Sequence, residues 1–144
     1  MFAVVRIRGS IKVNKEVKYT LTLLKLKNVN NCALVKDNDA MRGCLQKIKD
    51  YVTFGEVDEK VFEKLVAKWG RLSGKKRLTP EAAKKIDVKS ILEGKTRLQD
   101  HGVKPFFRLH PPKKGYEGVK TPFTMGGALG YRGKEINELL ERMI

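Results

Sequence analysis

Phe2-Ala3-Val4-Val5-Arg6-Ile7-Arg8 is the stretch whose reading decides the fold. Successive side chains of an extended chain point to opposite faces, so Ala3, Val5 and Ile7 share one face while Phe2, Val4, Arg6 and Arg8 share the other. The first face is apolar and the second ends in two arginines, which makes residues 2–8 a strand. Outward from it the pattern changes period. Asn14 is a helix cap with Glu16 in the first turn, and Val17, Leu21 and Leu24 follow at i, i+4, i+7, leaving Lys15, Lys18, Thr22 and Lys25 on the outer side. Residues 32–36 read as a second strand. Asp37-Asn38-Asp39 offers a cap for a second helix with Met41, Leu45 and Ile48 inward, and residues 52–57 read as a third strand. The expectation is an α+β fold, a compact β-α-β-α-β arrangement over residues 1–57 with both helices on one face of the sheet.

Residues 58–144 have a different texture and form an extension to that core. Asp58 is placed to cap a third helix carrying Val61, Phe62, Leu65, Val66 and Trp69, and Gly70 ends it. Residues 71–77 then hold four cations and no acid. Thr79-Pro80-Glu81 starts a helix that breaks near Asp87 and resumes to Gly94. From Lys95 to Lys134 the chain is rich in glycine and proline and carries nine basic residues against Asp100 and Glu117. A long irregular segment in a small domain usually binds something. Ile136, Leu139, Leu140 and Met143 mark a last helix that packs back on the body.

Composition narrows the function. Among 144 residues, 31 Lys and Arg oppose 16 Asp and Glu, a net charge of +15, while 41% hydrophobic residues suffice for a core. So cationic a chain repels itself when compact, and a polyanionic partner relieves that repulsion. No apolar run approaches the roughly 18 residues of a membrane span, and the first residues lack the basic segment and cleavage site of a secretory leader. Cys32 and Cys44 are too few for a disulfide framework, so the expected setting is the reducing cytoplasm.

Chemistry finds no purchase. Cys32, Cys44, His101 and His110 number four, but eleven residues separate the cysteines and nothing is paired as a zinc site requires. No G-x-S-x-G elbow occurs. The stretch from Gly126 to Lys134 fails as a phosphate loop, because Ala128 and Glu135 stand where glycine and Ser or Thr are needed. It fails as a dinucleotide fingerprint too, since no strand is evident before it. Two readings remain for it, a turn into the last helix or a helix start where Arg132 and Lys134 hold one phosphate. No catalytic residue, metal, cofactor or small-molecule substrate is expected.

Nucleic-acid binding is the better reading. In Lys104-Pro-Phe-Phe-Arg108-Leu-His110-Pro-Pro-Lys113-Lys114-Gly-Tyr116, prolines stiffen a basic segment in which Phe107, His110 or Tyr116 can stack on bases while Phe106, Phe107 and Leu109 supply a strand. The candidate contacts are Arg6, Arg8 and Arg42 in the core, Arg71, Lys75, Lys76 and Arg77 in the charged loop, and Arg108, His110, Lys113, Lys114, Lys120, Arg132 and Lys134 beyond it.

Several strings carry a resemblance. Leu21-Thr-Leu-Leu-Lys-Leu26, Lys36-Asp-Asn-Asp-Ala-Met-Arg42-Gly43 and Leu45 to Val57 resemble the large-subunit ribosomal protein L30 family. Phe107-Arg-Leu-His-Pro-Pro112 and Gly126-Gly-Ala-Leu-Gly-Tyr-Arg-Gly133 are similar to its longer archaeal form, related to the eukaryotic L7 protein. The bacterial pattern Thr-Pro-Ala is here Asn38-Asp39-Ala40. The resemblance implies a structural protein of the large subunit that binds ribosomal RNA beside neighbouring ribosomal proteins, with no catalytic step. It also implies a three-stranded sheet of order 3-1-2 related to the ferredoxin-like fold, and an RNA contact at Arg42-Gly43. A free RNA-binding protein or chaperone would carry the same charge.

Overall fold

The computed structural model describes residues 1–72, 76–84 and 86–144. Three strands and two helices appear in the expected order: β1 (Phe2–Arg6), α1 (Lys15–Leu23), β2 (Asn31–Val35), α2 (Asp39–Ile48) and β3 (Val52–Glu56). β1 is antiparallel to both β2 and β3, pairing Val4 with Ala33 on one side and Phe54 on the other. It stops at Arg6 because the next two amides, Ile7 and Arg8, both donate to the Tyr51 carbonyl at 2.9 and 3.1 Å, which turns the chain out of the ladder. α1 starts where Asn14 Oδ1 accepts from the Glu16 amide.

The remaining elements are α3 (Glu59–Trp69), α4 (Pro80–Lys84), α5 (Val88–Leu92), β4 (Phe106–Arg108), β5 (Gly118–Pro122), β6 (Gly127–Tyr131) and α6 (Ile136–Met143). They correct the expected three-stranded sheet. The sheet has six strands in the order β4-β2-β1-β3-β6-β5, mixed in direction: β4 is antiparallel to β2, while β6 runs parallel to β3 and β5 parallel to β6. The glycine-rich stretch read as a turn is therefore a strand, entering α6 through a 3-10 turn at Gly133–Glu135.

The layers follow the expected plan, with α1 and α2 on one face, and the extension covers the other. Phe2, Val4, Ala33, Val35 and Val52 bury against Leu21 of α1, Leu24 at its C-terminal cap, and Leu45 and Ile48 of α2. On the opposite face Ala3, Val5, Cys32 and Phe107 bury against Phe62 and Leu65 of α3 and Ile136, Leu139 and Leu140 of α6. Each buried Val, Leu, Ile or Phe among them contributes about 1.5–3 kcal/mol, so the extension supplies one of the two layers that cover the sheet. One polar side chain and one close backbone approach lock it on. Asn137 accepts from the Asp58 amide (2.9 Å) and donates to the carbonyls of Glu56 (3.0 Å) and Lys134 (2.8 Å), tying β3 to α6. Asp58 itself makes no side-chain cap bond. Gly55 lies against the Gly133 carbonyl so closely that any β-carbon would collide with it.

Candidate nucleic-acid interface

Two of the expected contacts face inward. Arg6 is buried, and its guanidinium donates to the carbonyls of Arg8 (2.8 Å), Leu26 (2.8 Å) and Lys27 (2.6 Å) and to Ser10 Oγ (2.7 Å). Burial lowers its pKa from the ordinary arginine value, and those four acceptors keep the cation tolerable there. Arg132 is also buried. Its Nε donates to Thr53 Oγ1 (3.0 Å) and its Nη2 to the Ala128 carbonyl (3.2 Å), with Glu117 Oε2 3.6 Å away and the Phe123 ring centroid 4.7 Å from Cζ. Glu117 also accepts from Arg142 (3.0 Å). Partial burial pushes the Glu117 carboxyl up, but its own backbone amide and the two arginines outweigh that and hold it below the usual value. These two arginines, expected as RNA contacts, are bolts of the fold whose guanidiniums are held by acceptors inside it.

The aromatics of this segment divide, and Phe106 and Phe107 supply the expected strand. Phe107 is in the core, and Tyr116 donates its hydroxyl to Asn30 Oδ1 (2.7 Å). His110 is exposed, its ring set edge-on to Trp69 at 4.8 Å.

The other cations reach solvent. Arg42, on α2, is exposed and clamped side-on by Asp37, Nε to Oδ1 at 2.6 Å and Nη2 to Oδ2 at 2.8 Å. The hydrogen bond from Arg42 holds the Asp37 carboxyl below the usual carboxylate range. The charged loop is framed by an isolated bridge between Arg71 and Arg77, with the Leu72 amide donating to the Lys76 carbonyl at 2.9 Å. Lys76 and Arg77 are exposed; Lys75 lies outside the described residues. Arg108, Lys113, Lys114, Lys120 and Lys134 are exposed as well.

One convergence was not legible in the sequence. A cleft of about 400 Å³ opens at the end of β1, lined by Arg8, Lys49, Asp50, Tyr51, Lys120, Pro122, Leu129 and Gly130. Arg8 donates through Nη1 to the Asp50 carbonyl (3.2 Å) and lies 5.3 Å over the Tyr51 ring. Lys49, at the end of α2, was not among the expected residues. Its approach to Arg8 and Lys120 depends on the β5-β6 addition to the sheet, which no local pattern announces.

A mixed sheet sandwiched by helices, with buried arginines inside and a strongly cationic skin outside, defines a small basic α+β protein. Comparison with known proteins makes this specific. Residues 2–52 match the family described as ribosomal protein L30p/L7e. The chain is 45% identical over 152 aligned positions to the large ribosomal subunit protein uL30 of Methanococcus maripaludis, covering 99% of each chain. It is 46% identical to that of Methanosphaera stadtmanae over 100% of both chains, and 43% identical to that of Nanoarchaeum equitans over 100% and 99%. The chain belongs to the ribosomal protein L30p/L7e family.

Proposed function

We propose that this chain works as a cation-bearing wedge between segments of large-subunit ribosomal RNA. It is a structural constituent of the large ribosomal subunit and not an enzyme, and its place is the cytoplasmic ribosome. The observation that carries this reading is the end-to-end likeness to large-subunit proteins, joined to a net charge of +15 carried largely on exposed side chains. Residues 1–57 act as the RNA-binding core and residues 58–144 as the extension that backs the sheet and adds basic surface. Arg8, Arg42, Arg71, Lys76, Arg77, Arg108, His110, Lys113, Lys114, Lys120 and Lys134 are the proposed contacts, neighbouring ribosomal proteins the other partners. Phosphate contacts by Lys and Arg displace counterions and dominate affinity. Lys76→Ala/Arg77→Ala therefore flattens the slope of log affinity for large-subunit ribosomal RNA against log salt by roughly 1–2 units, measured by filter binding. An unchanged slope removes this loop from the interface.

A further inference from the structure

We propose that the cleft at the end of β1 is a socket for one RNA backbone phosphate, with Arg8 as its bidentate clamp and Lys49 and Lys120 as its flanking charges. This rests on the RNA-binding reading above and names the chemistry of one site within it. The argument begins with the guanidinium edges. Nε and Nη2 form the edge that matches two oxygens of a phosphate. On Arg42 that edge is spent on Asp37, and Arg6 and Arg132 are buried. On Arg8 the remaining nitrogen, Nη1, holds the Asp50 carbonyl, while Nε and Nη2 have no acceptor among the described residues.

Arg8 is also oriented in advance. Its amide donates to the Tyr51 carbonyl at 3.1 Å, its Nη1 to the Asp50 carbonyl, and its Cζ sits over the Tyr51 ring, 5.3 Å from the centroid. Less side-chain freedom is then lost when a ligand binds. Lys49 and Lys120 line the same cleft, and neither they nor Arg8 has a carboxylate within 4.0 Å among the described residues. Three cations, Arg8 just beyond β1, Lys49 at the end of α2 and Lys120 on β5, line this cleft of about 400 Å³ together with one acid, Asp50, which pairs with none of them among the described residues. The wall at Gly130 carries no side chain, and a β-carbon there would meet nothing within 4 Å. Lys120 sits on the edge strand β5, so RNA strands can approach it from outside the sheet.

The test uses the full chain and deproteinised large-subunit ribosomal RNA, titrated over a salt series. Arg8→Lys keeps the charge but removes the fork: affinity falls about threefold to tenfold with the salt slope unchanged. Lys49→Ala and Lys120→Ala each weaken binding, and losing all three cations flattens the slope by about 0.7–0.9 in total, the share of one neutralised phosphate. In double-variant cycles with Arg8→Ala their losses are non-additive, because all three face one phosphate. Circular dichroism confirms that these surface variants are folded. The socket is overturned if these variants bind as the parent does while Lys76→Ala/Arg77→Ala weakens binding, a result that leaves the RNA reading standing. It is also overturned if the effects of the three residues simply add. If the parent chain prefers large-subunit RNA no more than an unrelated RNA, and its affinity is indifferent to salt, both the socket and the RNA reading fail.

Discussion

Arg6 and Arg8 stand two residues apart at the end of β1 and just beyond it, and their surroundings give them opposite work. Arg6 meets three carbonyls and a hydroxyl in the interior, whereas Arg8 lies on a tyrosine at the rim of a cleft. Removing a buried hydrogen-bonded cation leaves its acceptors unpaired. Arg6→Ala therefore lowers unfolding free energy by about 3 kcal/mol in urea melts, and Arg6→Lys recovers little of it, since one ammonium cannot span the four acceptors. Arg8→Ala changes stability by less than about 0.5 kcal/mol. Alternation assigned this pair to one face. It could not tell which arginine would be enclosed, because the enclosing carbonyls of Leu26 and Lys27 come from the loop after α1.

The thiols divide similarly. Burial pushes the Cys32 thiol up to about 12, only partly offset by a backbone hydrogen bond from Val4. Its raised folded value means that its stabilising contribution is intact below the ordinary value of 9.0 and is lost as pH rises from there toward 12. Thiol counting with an aromatic disulfide at pH 8 titrates half-buried Cys44 in the native chain and Cys32 only after unfolding.

At the scale of elements, the helices and the central strands follow from periodicity. Val61, Phe62, Leu65 and Val66 and then Ile136, Leu139, Leu140 and Met143 announce α3 and α6 by spacing, and all eight are buried. β5 and β6 were not legible, for physical reasons. β5 is exposed along its whole length as the sheet edge and shows no inside-outside alternation, and β6 begins with a glycine packed on the backbone of Thr121. Their placement depends on tertiary fit, the β3–Gly133 approach above all. Gly55→Ala drives a β-carbon into the Gly133 carbonyl and costs about 2 kcal/mol or more. Gly43→Ala, on α2 where a β-carbon meets nothing within 4 Å, raises stability by about 0.5–1 kcal/mol. Paired thermal melts of the two variants check both signs.

For the whole molecule, the cost of spreading +15 over 144 residues is self-repulsion, which a phosphate backbone neutralises. The double-sided sandwich makes that skin rigid: helices on both faces hold the sheet, and the buried Arg6 and Arg132 secure its ends without adding to the outer charge. Charge alone made a polyanion legible in the sequence. The family strings named the ribosome, and full-length likeness to archaeal uL30 proteins supports that assignment. The most direct measurement is ultraviolet crosslinking of the chain to RNA in its own cells, followed by sequencing of the attached fragments. The account predicts reads concentrated at a few sites in large-subunit ribosomal RNA, with crosslinked peptides from the Arg8–Lys49–Lys120 cleft and the 71–77 loop. Reads scattered over messenger and transfer RNAs would contradict it and describe a free RNA-binding protein instead.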